Sequence, residues 1–182
     1  MVNVAGAQVQ FGVKAGLNRA SLNYSGPAIN DLGVKYDFNA GIFASIPLFD
    51  NFYLQPELMY SAQGSGFTDS IPADANYNYL NLPVLFKYQH ASGLFAETGP
   101  QIGFLLSAQL KSNGQSIDNK NYTQSTDFSW VFGVGYKISA INLGIDLRYN
   151  YGLTNTIKAN NASGTAKNSV FQIDLFYQFK NM

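Results

Sequence analysis

The chain has 182 residues, of which 46% are hydrophobic and 15% aromatic, while only 12% are charged, about half the share of an ordinary soluble domain. Lys plus Arg and Asp plus Glu each number 11, so the formal net charge is zero, and no basic surface for nucleic acid is implied. Cysteine is absent, which excludes disulfides and thiolate metal sites, and no apolar run approaches the length of a membrane-spanning helix.

One domain over 1–182 suits this length. Met1 to Val4 has neither the basic start nor the apolar core of a cleavable signal. Ala5-Gly6-Ala7-Gln8 resembles the tail of a processed one. Either the chain stays in the cytosol or it is a mature exported sequence with an added methionine. The Ala5–Gln8 segment favours the second, with the signal peptide removed and residues 1–7 left as a short N-terminal segment.

Eight strands are predicted from alternation with a period of two, which no helix register reproduces. In the first, Val9, Phe11, Val13, Ala15 and Leu17 alternate with Gln8, Gln10, Gly12, Lys14 and Gly16. A long polar connection over 18–33 follows. The second strand sets Val34, Tyr36, Phe38, Ala40, Ile42, Ala44 and Ile46 against Lys35, Asp37, Asn39, Gly41, Phe43 and Ser45. After a short turn, the third sets Phe52, Leu54, Pro56, Leu58 and Tyr60 against Tyr53, Gln55, Glu57, Met59 and Ser61. Pro56 removes a ladder donor, so a local irregularity rather than a strand end is expected there.

A second long connection covers 63–76. Strand four, Tyr77 to Gln89, puts Leu80, Leu82, Val84, Phe86 and Tyr88 on one face and Tyr79, Asn81, Pro83, Leu85, Lys87 and Gln89 on the other. A turn over His90 to Gly93 leads to strand five, Leu94 to Leu110. There Leu94, Ala96, Thr98, Pro100, Ile102, Phe104, Leu106 and Ala108 oppose Glu97, Gly99, Gln101, Gly103, Leu105, Ser107 and Gln109. The third long connection is 111–126.

The clearest stretch is Asp127 to Tyr151. Phe128, Trp130, Phe132, Val134, Tyr136 and Ile138 form one face, against Asp127, Ser129, Val131, Gly133, Gly135, Lys137 and Ser139. Past a tight turn near Ala140, Ile141, Leu143, Ile145, Leu147, Tyr149 and Tyr151 oppose Asn142, Gly144, Asp146, Arg148 and Asn150. A fourth long connection, 152–168, precedes the last strand. Its Phe171, Ile173, Leu175, Tyr177 and Phe179 alternate with Val170, Gln172, Asp174, Phe176 and Gln178.

A soluble barrel fills its inside with apolar side chains. Here the apolar face is broad and aromatic, while the other face is small, polar and charged, which suits a narrow polar interior and a lipid-facing wall. A soluble sandwich or lipocalin-like barrel is the competing reading of any one hairpin. The connections alternate long and short along the whole chain, which places long loops at one end and short turns with both termini at the other. Outer-membrane barrels have that asymmetry. The expected fold is all-β, an eight-stranded antiparallel up-and-down transmembrane β-barrel with an inward polar and an outward apolar face.

By parity, Lys14, Lys35, Lys87, Lys137 and Arg148 face inward with Asp37, Glu57, Glu97, Asp146 and Asp174. Equal numbers of each sign point to a salt-bridged plug, since a lone buried charge is costly; a charged path for ions or solutes is the alternative. Glycines 12, 16, 41, 99, 103, 133, 135 and 144 would make room for the long side chains. Tyr60, Tyr77, Tyr88, Trp130, Tyr136, Tyr149, Tyr151 and Tyr177 are expected as outward aromatics at the two bilayer interfaces. The single histidine, His90, falls in a short turn. No catalytic residues, cofactor site, metal spacing or phosphate loop is read, so a non-enzymatic protein is expected.

FGVKAGLN at 11–18, YLQPELMYSAQG at 53–64, YLNLPVLFKY at 79–88, LFAETGPQIGFLLSA at 94–108, NLGIDLRYNYGL at 142–153 and FQIDLFYQF at 171–179 resemble the small porin-like outer-membrane β-barrel family common in Bacteroidetes. Pro56-Glu57, Leu82-Pro83 and Glu97 with Gly99-Pro100 are the more specific part of that likeness. The resemblance implies an OmpA- or OmpX-like barrel in the outer membrane, with lipid and the barrel insertion machinery as partners, a monomer, and both termini periplasmic. The chain departs from such barrels in continuing past Phe179 with Lys180, Asn181 and Met182. The expected role is structural or surface-interacting through the long loops. A narrow channel, a lipid-modifying barrel enzyme and a soluble ligand-binding barrel are the competing roles.

Overall fold

The computed structural model describes residues 8–25, 32–67, 73–112, 115–118, 120, 123–155 and 165–180. Nine strands are found among them: β1 (Gln10–Ser25), β2 (Leu32–Phe49), β3 (Phe52–Phe67), β4 (Ala73–Gln89), β5 (Leu94–Ser112), β6 (Gln115–Asp118), β7 (Thr126–Ile138), β8 (Leu143–Gly152) and β9 (Thr165–Gln178). All pairings are antiparallel. Each barrel strand pairs with the next in sequence, and β9 returns to β1, so eight strands close a barrel. β6 is a short extra strand folded back on the end of β5. Closure removes the exposed edges that an open sheet would present.

The wall obeys the alternation read from the sequence. In β8 each residue at an even position is buried and each at an odd one is exposed, and β7 alternates in the same way, with Gly135 half-buried. The exposed set is apolar: Phe11, Leu17, Phe38, Ile42, Phe132, Val134, Leu147 and Leu175 all stand outward. Lys14, Glu57, Glu97, Asp146, Arg148 and Asp174 are buried within. The protein is thus inverted relative to a soluble fold, since its hydrophobic surface is on the outside.

Pro56, Pro83 and Pro100 lie inside β3, β4 and β5. Next to Pro56 and Pro83 each ladder skips two successive pairs and resumes in the same register. A proline that cannot donate interrupts the pairing locally while its neighbours hold the strand in line.

Two expectations are corrected. The stretches assigned to loops at 18–33, 63–76, 111–126 and 152–168 each include strand among their described residues; the rest of each stretch lies in part outside the described residues. β1 runs on to Ser25, β3 to Phe67, and β9 starts at Thr165. Their polar residues mislead because a wall that rises beyond an apolar layer needs no apolar face there. The second correction is a bulge. Asn78 pairs with Ser107 while Tyr79 pairs with Leu105, so Leu106 is an extra residue on β5. A one-residue shift exchanges the faces. Ala108, expected outside, is therefore buried, and Gln109, expected inside, is exposed.

The three short connections are at one end. Asp50 (φ 44°) and Asn142 (φ 55°) adopt left-handed conformations that short polar side chains tolerate. Gly93 (φ 97°) needs glycine; its N–H donates to the His90 carbonyl at 2.9 Å.

Candidate functional site: the filled lumen

The residues on the inner face form stacked layers. Nearest the short turns, Lys137 Nζ donates to Gln178 Oε1, and Gln178 Nε2 donates to Gln10 Oε1 at 2.6 Å. Above them three phenylalanines meet. The rings of Phe43 and Phe95 each pack edge-on to Phe176, with centroids 5.9 and 5.8 Å away. Each ring lies across its ladder from a glycine: Phe43 from Gly12, Phe95 from Gly135 and Phe176 from Gly144. A Cβ on any of these glycines would stand 2.2–2.3 Å from the ring opposite. The glycines are thus the space into which the aromatic layer folds.

An ion cluster rests on this layer. Arg148 on β8 donates through Nη1 and Nη2 to the two oxygens of Glu57, both at 2.7 Å, and through Nε to Glu97 Oε1 at 2.6 Å. Its planar fork matches a carboxylate in a way that lysine could not. Lys14 donates to Asp146 Oδ2 at 2.5 Å and reaches Glu57 Oε1 at 3.5 Å. Gln55 Nε2 donates to Glu57 Oε1 at 2.7 Å, and Gln55 Oε1 accepts from Lys87 Nζ at 3.3 Å. The Lys87 ammonium also sits 3.7 Å from the centroid of the Phe95 ring, a cation–π contact that joins the two layers. Gly133 lies between Glu97 and Arg148 in the ladders. A Cβ there would press on Glu97 Cγ at 2.8 Å.

Toward the opposite end the polar chain continues through amides. Asn39 Nδ2 donates to Asp174 Oδ1 and to Asn18 Oδ1, both at 2.8 Å. Gln172 Nε2 donates to Asn18 Oδ1 at 2.7 Å, and Asn150 Nδ2 to Gln172 Oε1 at 3.0 Å. Beyond them the inner face turns apolar again, with Tyr79, Leu105 and Ala108 in one cluster.

The ten charges assigned to the lumen are not one network. Lys14, Glu57, Glu97, Asp146 and Arg148 form the central cluster, and Lys87 lies beneath it. Lys35 pairs with Asp37 at 2.8 Å and also donates to Asn76, away from the centre and partly exposed. Lys137 is at the turn end, and Asp174 bonds to Asn39. One buried carboxylate was not assigned to that set. Asp127, on the polar face of β7, accepts from Thr154 Oγ1 at 2.7 Å and Asn168 Nδ2 at 3.0 Å. Its parity with Ser129 and Gly133 was the available signal. Phe43 and Phe176 were read as inward, but nothing in their spacing announced that they would meet Phe95.

Of the outward aromatics, Tyr88, Tyr136 and Tyr177 stand near the short turns, while Tyr60, Trp130, Tyr149 and Tyr151 stand further along the wall. Trp130 Nε1 donates to Thr98 Oγ1 at 2.8 Å, and that hydroxyl donates to the Val131 carbonyl at 2.9 Å. Tyr77 is corrected: it packs against the Tyr79, Leu105 and Ala108 cluster inside the barrel. It shares its parity with Tyr79, which already pointed inward. His90 is exposed in its turn, with Nδ1 2.8 Å from Ser92 Oγ. Among the described residues no three His, Asp or Glu side chains gather as a metal-binding group.

Solved structures share this architecture. Neisserial surface protein A is 14% identical with a TM-score of 0.61, covering 93% of this chain and 97% of its own. Ail, the attachment invasion locus protein of Yersinia pestis, is 18% identical with a TM-score of 0.51, covering 93% of this chain and 98% of its own. At these identities the likeness is one of fold. A comparison with curated proteins gives no match. Residues 5–158 match the family described as outer membrane protein beta-barrel domain, and the chain, a closed antiparallel barrel with an apolar outer wall and a charged interior, belongs to that family.

Proposed function

We propose that the protein is a non-enzymatic integral barrel of the outer membrane with a closed lumen, acting in envelope structure or surface interaction through its long-loop end. The observation that carries this is the stack of the Arg148–Glu57–Glu97–Lys14–Asp146 cluster on the Phe43–Phe95–Phe176 layer. An eight-stranded barrel is just wide enough for side chains to fill, and here ionic groups satisfy one another across strands far apart in sequence, with rings packed beneath them. The central carboxylates are engaged by Arg148 and Lys14 rather than poised for proton transfer.

In this reading the short turns and both termini face the periplasm, and the strands that outrun the roughly 9–11 residues needed to span raise the loop end above the membrane. The chain inserts through the envelope's barrel-assembly machinery and works as a monomer, in the manner of the Bacteroidetes barrels that its sequence resembles. Ail is an attachment invasion locus protein; for this chain a surface role is supported by the strand extensions and the closed lumen.

The test is conductance of purified protein in planar bilayers. The unaltered barrel is expected to give no unit conductance, whereas Phe43→Ala with Phe95→Ala and Phe176→Ala opens the turn-end layer. Steady conductance by the unaltered protein would instead support a narrow channel for ions or very small solutes.

A further inference from the structure

Asp174 is the buried carboxylate that the ion cluster leaves out. It is fully buried on β9 and directly opposite Asp146 in the β8–β9 ladder, where two like charges repel. Among the described residues no lysine or arginine forms an ion pair with it; Lys14 and Arg148 are bound to Glu57, Glu97 and Asp146. Its Oδ1 accepts from Asn39 Nδ2 at 2.8 Å. Its Oδ2 has no donor, and neither has Oδ1 of that same Asn39.

The charge inventory agrees. Among the described residues, Lys14, Lys87, Lys137 and Arg148 are buried within the barrel with Glu57, Glu97, Asp127, Asp146 and Asp174, one carboxylate more than there are cations. Asp127 also lacks a cation but has a donor on each oxygen. Asp174 has neither a counter-charge nor a full set of donors, and an ionised carboxylate in that condition is costly.

We propose that Asp174 is a proton-binding site: at neutral pH its Oδ2 carries a proton that it donates to Asn39 Oδ1. The reciprocal bond, from Asn39 Nδ2 to Asp174 Oδ1, is already in place, so one proton closes an acid–amide ring and serves both orphaned oxygens. It also cancels the surplus charge. A metal ion fits poorly. A Cβ on neighbouring Gly16 would stand 2.0 Å from Asp174 Oδ1, and the two free oxygens fall short of the roughly six that a hard cation takes. The charged groups facing the site are Asp146 and Arg148 from β8 and Lys14 from β1; β2 contributes the neutral Asn39. The inference holds whether or not the lumen conducts.

Infrared spectroscopy of the barrel in lipid vesicles, with Asp174→Asn as the reference, tests it. The unaltered protein is expected to show the carbonyl stretch of a protonated carboxylic acid at neutral pH, and Asp174→Asn to lack it. Because the asparagine amide repeats the donor and acceptor order of the protonated acid, this variant should fold normally. The folded barrel holds a proton that the unfolded chain has released. Its urea midpoint should therefore fall as pH rises, and this dependence should be weaker in Asp174→Asn. A missing band, a band that survives the substitution, failure of Asp174→Asn to fold, or stabilisation by sodium over choline that the variant loses would each overturn the proposal.

Discussion

At the scale of single residues, the interior is governed by exclusion of water. Arg148 binds two carboxylates with three short hydrogen bonds, and removing it leaves Glu57 and Glu97 facing each other without it. Arg148→Met is expected to lower unfolding stability by about 3–5 kcal/mol, the cost of breaking a buried pair from one side, as measured by urea titration in detergent or lipid. The Phe layer makes a steric prediction. Gly144→Val drives a side chain into the Phe176 ring, since even a Cβ would lie 2.2 Å from it. That variant should be destabilised by roughly 1–3 kcal/mol, and Gly144→Val with Phe176→Ala should recover part of the loss. On the outer wall the polar atoms follow the opposite constraint. Trp130 and Thr98 satisfy each other because lipid offers no partner.

At the scale of strands, alternation is the legible quantity. Almost every face in β1, β7, β8 and β9 could be read from a period of two, because lipid on one side and charge on the other leave no tolerance for a slip. The bulge at Leu106 could not be read. It is a property of the β4–β5 ladder, and the local pattern Leu105-Leu106-Ser107-Ala108 fits either parity. Strand ends were also hidden. Beyond the lipid a strand is held by its ladder alone, so Asn, Ser and Gly serve there as well as in a loop. The wall itself can be tested on β8, where Leu147 points outward near mid-strand. Leu147→Arg is expected to cost about 2–4 kcal/mol, the penalty for a charge on the lipid face near the midplane. Leu143→Arg, close to the short turn, should cost about 0–1 kcal/mol. Equal effects in refolding titrations would contradict the orientation of this hairpin.

At the scale of the whole molecule, closure and filling act together. That the interior would hold charges of both signs was foreseeable from the alternating pattern, which sets lysines, an arginine and carboxylates on one face. Which charges would meet was not foreseeable, because Arg148 and Glu57 are brought together only when strands from the two halves of the chain face each other across the lumen. Loss of the central cluster should therefore be felt at a distance. Glu57→Gln is expected to increase amide hydrogen exchange on β8 as well as β3, whereas a purely local role would confine the change to β3.

The barrel strands are also unequal in length, from 10 residues in β8 to 19 in β5. With the short turns level, β2 to β5 stand as a tall parapet while β7 and β8 end low beside them. Among the described residues, that rim stands higher on one flank than on the other. Its tall flank is already stiffened by ladder bonds, so a visitor that docks there has little chain left to freeze.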